Sequence, residues 1–131
     1  ISLIRPQKKT LYQVHDPKGI KILFQLRLEL SHLKAHKHKY NFQDSPTELC
    51  DCLEAPENLS HFLFECSRFA GSRALLINTT DTLLRKHNLA CEIYNSMIYL
   101  YGHSSLSTEE NRDILLATMK YIACTNRFQN S

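Results

Sequence analysis

Three cysteines and one histidine lie close together in the segment ELCDCLEAPENLSHFLFEC, residues 48–66. Their order is Cys50, one residue, Cys52, eight residues, His61, four residues and Cys66. Thiolate sulfur and imidazole nitrogen are the ligands of structural zinc, which takes four of them in a tetrahedron. The spacing alone leaves two interpretations open: a zinc site, or three reduced, partly buried thiols beside an imidazole.

The same spacing sets a geometric condition on a metal site. Residues five apart on a regular α-helix, such as His61 and Cys66, project about 140° apart. Both can therefore face one ion only if the helix is distorted or ends near Cys66. The single residue between Cys50 and Cys52 is also a tighter gap than is usual between two zinc ligands. The other two cysteines, Cys91 and Cys124, stand alone in apolar stretches and are predicted to be buried free thiols.

Composition indicates a globular protein of one domain, or one domain and a small appendage. The chain has 131 residues, of which 43% are hydrophobic and 22% are charged. No apolar run approaches the roughly 18 residues of a membrane span, so we expect no membrane contact. No signal peptide is evident, which makes a disulfide framework the weaker interpretation and metal binding the better explanation of the clustered cysteines. Because the chain starts with Ile rather than Met, we expect it to be a fragment of a longer protein.

Positive charge is concentrated in the first third of the chain. Residues 1–41 carry nine Lys and Arg against two acidic residues, whereas residues 42–131 carry a net negative charge. Four of the seven histidines also lie in the basic third. This asymmetry favours a surface that faces a polyanion, and the alternative is an ordinary solvated helix face.

The basic third is predicted to contain one long helix, over residues 17–39. Asp16 can cap it and Pro17 can be its first residue. A stripe of leucines at helical spacing supports it: Leu23, Leu26, Leu30 and Leu33. The cations of this helix are the candidate phosphate contacts: Lys21, Arg27, Lys34, Lys37 and Lys39. Tyr40 or Phe42 could stack on unpaired bases, although core packing is the more common role of such aromatics.

The remaining sequence also predicts helices. Phe62, Phe69 and Leu76 form a seam at seven-residue spacing, and Asp81 is a candidate cap of a further short helix. A later helix should end at Gly102, and Ser107 with Glu110 forms a capping box before the last one. The expected fold is all-α, a small helical domain with a Cys-Cys-His-Cys zinc-knuckle-like turn and room for a short β-hairpin at the cysteines. Its expected parts are an irregular segment (residues 1–15), the basic helix with the knuckle-like module (16–80) and a C-terminal helical extension packing on it (81–131).

Taken in order, these features resemble the C-terminal region of non-LTR (LINE-type) retrotransposon reverse transcriptases. The resemblance rests on "RLELSHLKAHKHKYNF", the Cys-Cys-His-Cys motif, "CSRFAGSR" and the closing "LYGHSSLSTEENRDILLATMKYIACTNRF". It implies that zinc is bound at Cys50, Cys52, His61 and Cys66. It also implies RNA or DNA as partner, contact with the upstream polymerase domain of the same polyprotein, and an intracellular location in cytoplasm and nucleus.

The resemblance also implies that this part of such a protein is not a catalyst. The polymerase of these elements holds magnesium with paired aspartates, and the candidate segments here, "DCLE", "TTDT" and "NRDI", each have a lone Asp. His32 and His36 share a helix face, but Leu33 stands where an HExxH metal site has Glu. We therefore expect a non-catalytic nucleic-acid-binding module. The alternative is an interaction module that docks on the polymerase body through the exposed side of "LRLELSHL" or through the last helix.

Overall fold

The computed structural model describes residues 16–40 and 47–128, so the segment 1–15 and the aromatic residue Phe42 lie outside the described residues. Five α-helices organise the described chain: α1 (Pro17–Arg27), α2 (Lys34–Lys39), α3 (Ala70–Lys86), α4 (Ser96–Tyr101) and α5 (Thr108–Thr125). A π-helical turn spans His61–Glu65, and 3-10 turns span Ser67–Phe69 and Ala90–Glu92.

The all-α prediction is confirmed. The described ranges contain no β-strand, and the β-hairpin allowed for at the cysteines amounts to one antiparallel bridge between Leu49 and Pro56. Across residues 16–40 and 47–128, each helix is too short or too polar to cross a lipid bilayer.

The first helix begins as predicted but ends much earlier. Asp16 accepts a hydrogen bond from the Gly19 N–H and caps α1, and Pro17 is its first residue. The single helix over 17–39 is wrong, because α1 ends at Arg27. Glu29 takes a left-handed φ of 57°, and the Leu30 N–H donates to the Gln25 carbonyl, which is the pattern of a Schellman termination.

Leu30 belongs to the predicted leucine stripe of one helix, but the early termination separates it from that stripe and leaves it 52% exposed. Leu33 is fully buried, because the chain turns at Ser31 before α2 begins at Lys34. The leucine pattern therefore belongs to two short helices that bury different faces.

The core forms where α5 packs against α1, α3 and α4. The predicted seam of Phe62, Phe69 and Leu76 is buried there, with the Phe62 and Phe69 rings edge to face and 5.6 Å apart. Asp81 does not cap a helix, because α3 is continuous through it, and its carboxylate accepts a hydrogen bond from Arg85. The same helix runs across residues 80 and 81, the predicted boundary between the knuckle-like module and the C-terminal extension.

One helix stop and one cap near α4 and α5 were predicted correctly, whereas the burial of two thiols was not. Gly102 ends α4 with a φ of 79°, and Ser107 with Glu110 forms the capping box of α5. Cys91 and Cys124 are exposed rather than buried. They lie in a 3-10 turn and in the last turn of α5, where their neighbours and not they face the core.

Tyr121 of α5 fastens the π-helical turn to the core. Its hydroxyl donates to the Phe62 carbonyl, and Arg73 of α3 donates to that hydroxyl at 3.3 Å. Arg73 also donates to the Leu63 carbonyl at 2.8 Å and to the Cys66 carbonyl at 2.7 Å. The two long helices thus fix the segment that carries His61 and Cys66.

Replacing Tyr121→Phe should lower the free energy of unfolding by about 1–3 kcal/mol, because it leaves a buried carbonyl without its donor. Urea denaturation measures this. Tyr94→Phe is the matched control, since Tyr94 is 67% exposed and should change stability little. Equal effects of the two changes would contradict this role of Tyr121.

Candidate metal centre

The fold brings the four predicted ligand residues together. One sulfur or nitrogen atom from each of Cys50, Cys52, His61 and Cys66 lies within 4.8 Å of the other three. The Cys50 and Cys66 Sγ atoms are 3.7 Å apart, and Cys52 Sγ is 3.2 Å from His61 Nε2. Cys50, His61 and Cys66 are buried. The group is therefore compatible with a bound metal ion.

The distances and the chemistry of the donors fit a tetrahedral ion. Two thiolates at a zinc–sulfur distance of about 2.3 Å lie roughly 3.8 Å apart across a tetrahedron. The Cys50–Cys66 distance is 3.7 Å, and the Cys52–His61 distance of 3.2 Å is slightly shorter than a bound ion requires. Three sulfurs and one imidazole nitrogen are also a ligand set typical of structural zinc.

A tight turn supplies the first two ligands. The Cys50 N–H donates to the Ala55 carbonyl, and the Leu53 N–H donates to the Cys50 carbonyl, both at 2.9 Å. Leu53 closes the turn with a left-handed φ of 67°, a conformation that costs free energy for a residue with a side chain. The one-residue gap between Cys50 and Cys52 is thereby accommodated.

The helix carrying His61 is distorted and then ends, as the spacing required. The Cys66 N–H donates to the His61 carbonyl at 2.8 Å, which is the i to i+5 bond of a π-helix. Cys66 itself is extended, with φ −63° and ψ 122°. The wider turn and the break let both side chains reach the same point.

The imidazole of His61 presents Nε2 to the thiols and Nδ1 to the other side. Nδ1 is buried and makes no hydrogen bond within the described residues, and the Glu65 carboxylate is 3.5 Å away. A carboxylate behind the second ring nitrogen is the arrangement that orients metal-bound histidines. Glu65 is therefore the candidate orienting group for His61.

Arg68 places a positive charge against the sulfur atoms. It donates to Cys66 Sγ at 3.3 Å and to Cys50 Sγ at 3.1 Å. Burial would raise the pKa of the Cys66 thiol, but the hydrogen bonds from Arg68 outweigh it and hold that pKa below its usual value. Burial raises the pKa of Cys50. Three thiolates and a neutral imidazole around a divalent ion would carry one net negative charge, which the guanidinium offsets.

Glu57 connects the ligand loop, residues 48–66, to the start of α2 and to Arg127 near the end of the described chain. Its carboxylate is 1% exposed and accepts two hydrogen bonds from Arg127, at 2.6 and 2.7 Å, and one from Arg68 at 3.0 Å. It also accepts from the backbone N–H of Lys34 at 2.9 Å, at the start of α2. Burial would raise the pKa of Glu57, but these donors hold it below its usual value.

The five predicted phosphate contacts fall into two groups. Lys34, Lys37 and Lys39 lie on α2, where Lys34 pairs with Asp51 at 2.6 Å and Lys39 with Glu29 at 3.4 Å.

The other two cations lie on α1. Lys21 is exposed. Arg27 is half-buried, donates to the Leu100 carbonyl at 2.7 Å and stacks on the rings of Phe24 and Tyr101. Burial lowers the pKa of Arg27. Its guanidinium is thus used in packing α1 against α4.

Glu57 and Arg68 are not among the site residues predicted from the sequence. Glu57 is one of several acidic residues between the ligands, and no local pattern marks it as the buried one. Arg68 could have been suspected, since it lies two residues from a candidate metal ligand.

No protein-family model, curated protein or solved structure matches this chain. The interpretation of the site therefore rests on its geometry.

Metal analysis should find one zinc per chain, and Cys50→Ser or Cys66→Ser should abolish binding and destabilise the fold. Structural zinc in small domains contributes about 10–16 kcal/mol of apparent binding free energy, so its loss should unfold the ligand loop. Cys91→Ser and Cys124→Ser are matched controls on exposed thiols. Unchanged thermal stability in a strong chelator would refute the site.

Glu57→Gln should lower the free energy of unfolding by about 3–5 kcal/mol at neutral pH, because it leaves Arg68 and Arg127 without their buried partner. Since the folded-state pKa of Glu57 lies below the unfolded value of 4.5, the wild-type advantage is full above that pH. It should shrink as the pH falls through the folded-state pKa.

Urea denaturation as a function of pH measures this advantage, with Glu48→Gln, an exposed carboxylate of the same loop, as the control. A difference between wild type and Glu57→Gln that does not change with pH would show that the Glu57 charge is unimportant.

Proposed function

We propose that this chain is a zinc-stabilised helical module that binds nucleic acid, as the non-catalytic C-terminal part of a LINE-type reverse transcriptase. The observation that carries the proposal is the convergence of Cys50, Cys52, His61 and Cys66 within 4.8 Å, on a chain whose first third is basic. The template RNA or target DNA and the upstream polymerase domain are the proposed partners.

The role of the metal in this proposal is structural. When bound, zinc would cross-link the turn at Cys50 and Cys52 to the segment of His61 and Cys66. Four protein ligands would leave no coordination position open for a water molecule, which is the arrangement of structural rather than catalytic sites. The ligand loop around the metal would then hold α2 in place through Glu57.

The proposed phosphate-binding surface is α2. Its sequence, KAHKHK, has no acidic residue, and Tyr40, the residue that follows it, is 48% exposed. Lys37 and Lys39 follow Lys34 on this helix, and each cation that contacts a phosphate releases a condensed counterion. The exposed ring of Tyr40 can stack on an unpaired base. Arg27, in contrast, serves the fold, so we assign it no primary role in binding.

An alternative function is docking on the polymerase body without direct contact to nucleic acid. The specific observation in its favour is the exposure of Leu28 and Leu30, at 65% and 52%, in the turn after α1. Neither side chain is buried against the described part of the fold. Co-purification with the upstream domain, combined with no retention of nucleic acid, would favour this alternative.

Filter binding with single-stranded RNA and nicked duplex DNA tests the proposal. Affinity should fall as salt rises, and the double variant Lys37→Gln/Lys39→Gln should bind more weakly and with a shallower slope, by about 0.7–0.9 per lost phosphate contact. Lys120→Gln, an exposed lysine of α5, is the matched control. Retention no better than background at low salt, or an affinity that does not change with salt, would refute the proposal.

A further inference from the structure

A cavity of about 310 Å³ lies between α1, α2 and the segment that precedes the π-helical turn. Its apolar lining includes Leu26, Leu59 and Met97, and Met97 is 49% exposed. Its volume is at the lower end of the roughly 300–1,000 Å³ found for small-molecule sites. The cavity can therefore take one flat ring system but not an element of secondary structure.

One polar group at this cavity is buried and has an unused ring nitrogen. His36 lines the cavity and is 6% exposed, and its Nδ1 is 2.6 Å from the Ser31 hydroxyl. Within the described residues, its Nε2 has no hydrogen-bond partner. Burial lowers the pKa of His36, which favours the neutral imidazole, a group that both donates and accepts.

Two further polar side chains in the lining retain hydrogen-bonding capacity. The Asn58 side-chain oxygen accepts from the His61 N–H at 2.9 Å, which leaves its amino group to face other partners. Ser60 supplies an exposed hydroxyl. A few convergent donors and acceptors on apolar walls are the features that orient a heterocycle by its edge.

Two cations, Arg27 and Lys39, and one carboxylate, Glu29, line the cavity, and this balance favours a ligand joined to phosphates. Lys39 lines it and pairs with Glu29, also in the lining, at 3.4 Å. Lys37 precedes it on the same short helix. Nucleic-acid modules read unpaired bases by burying the ring and hydrogen bonding its edges, while cations follow the backbone.

We propose that this cavity binds a single unpaired base of single-stranded RNA or DNA, with Lys37 and Lys39 on the flanking phosphates. The inference rests on the proposed nucleic-acid-binding function and makes it more specific. A base paired in a duplex cannot present its edge and both faces to the cavity. The module should therefore prefer single strands over duplexes of the same sequence.

The two methionines provide an internal probe and an internal control. Met97 lines this cavity, whereas Met119 is 2% exposed and lines a different one. The full chain, labelled with ¹³C at the methionine methyl groups, is titrated with DNA and RNA strands of about eight nucleotides. The Met97 resonance should shift in a saturable way, and the Met119 resonance should stay in place.

Two variants test the cavity in fluorescence anisotropy. Met97→Ala removes part of the apolar wall, and Ser60→Phe fills the space from an exposed position. Each should weaken single-strand binding at least about fivefold, the lower end for loss of one buried base, and leave duplex binding unchanged. Leu75→Ala on α3, 53% exposed and outside this lining, is the matched control and should have no effect.

The outcomes distinguish failure of this inference from failure of the proposed nucleic-acid-binding function. Two results would refute base binding in the cavity and leave nucleic-acid binding in place. One is binding in anisotropy without a shift of the Met97 resonance, and the other is equal affinity for single strand and duplex. No binding of any strand at low salt would overturn both. Parallel DNA and RNA titrations identify which sugar the cavity accepts.

Discussion

The buried carboxylate of Glu57 is the interaction on which the rest of the structure depends. It joins Arg127 near the end of the described chain, the ligand loop and the first turn of α2. A carboxylate that is 1% exposed is tolerated in a protein interior only when its charge is paired and its oxygens accept hydrogen bonds. Arg68 and Arg127 supply the two charges, so segments 70 residues apart must be in place together.

Arg68 extends this constraint into the cluster of thiols. The same guanidinium contacts Glu57 and the sulfur atoms of Cys50 and Cys66. Its charge is therefore shared between a buried carboxylate and a group of ligands that gains negative charge when the thiols ionise. Any change in the charge of the sulfur cluster therefore changes the strength of the interaction between Arg68 and Glu57. The Cys/His cluster and the buried carboxylate that holds α2 and Arg127 are thus electrostatically coupled.

Features set by neighbouring residues could be predicted from the sequence, and features set by distant residues could not. The cap at Asp16, the stop at Gly102 and the break between His61 and Cys66 follow from local spacing, and the structure contains all three. The end of α1 at Arg27 does not, because the leucine stripe continues past it. The chain leaves the helix through a left-handed Glu29, a conformation for which sequence favours Gly.

The start of α2 depends on a residue far away in the sequence. A six-residue helix without a side-chain cap of its own is not stable in isolation, and three of its residues are lysines that repel one another. Glu57 supplies from 23 residues away what the local sequence lacks: a carboxylate for the Lys34 N–H, and a backbone carbonyl for the Ala35 N–H. The cations in its last turn then lie at the favourable end of the helix dipole. The basic surface is therefore a property of the folded ligand loop, and a basic sequence alone would not present it in this arrangement.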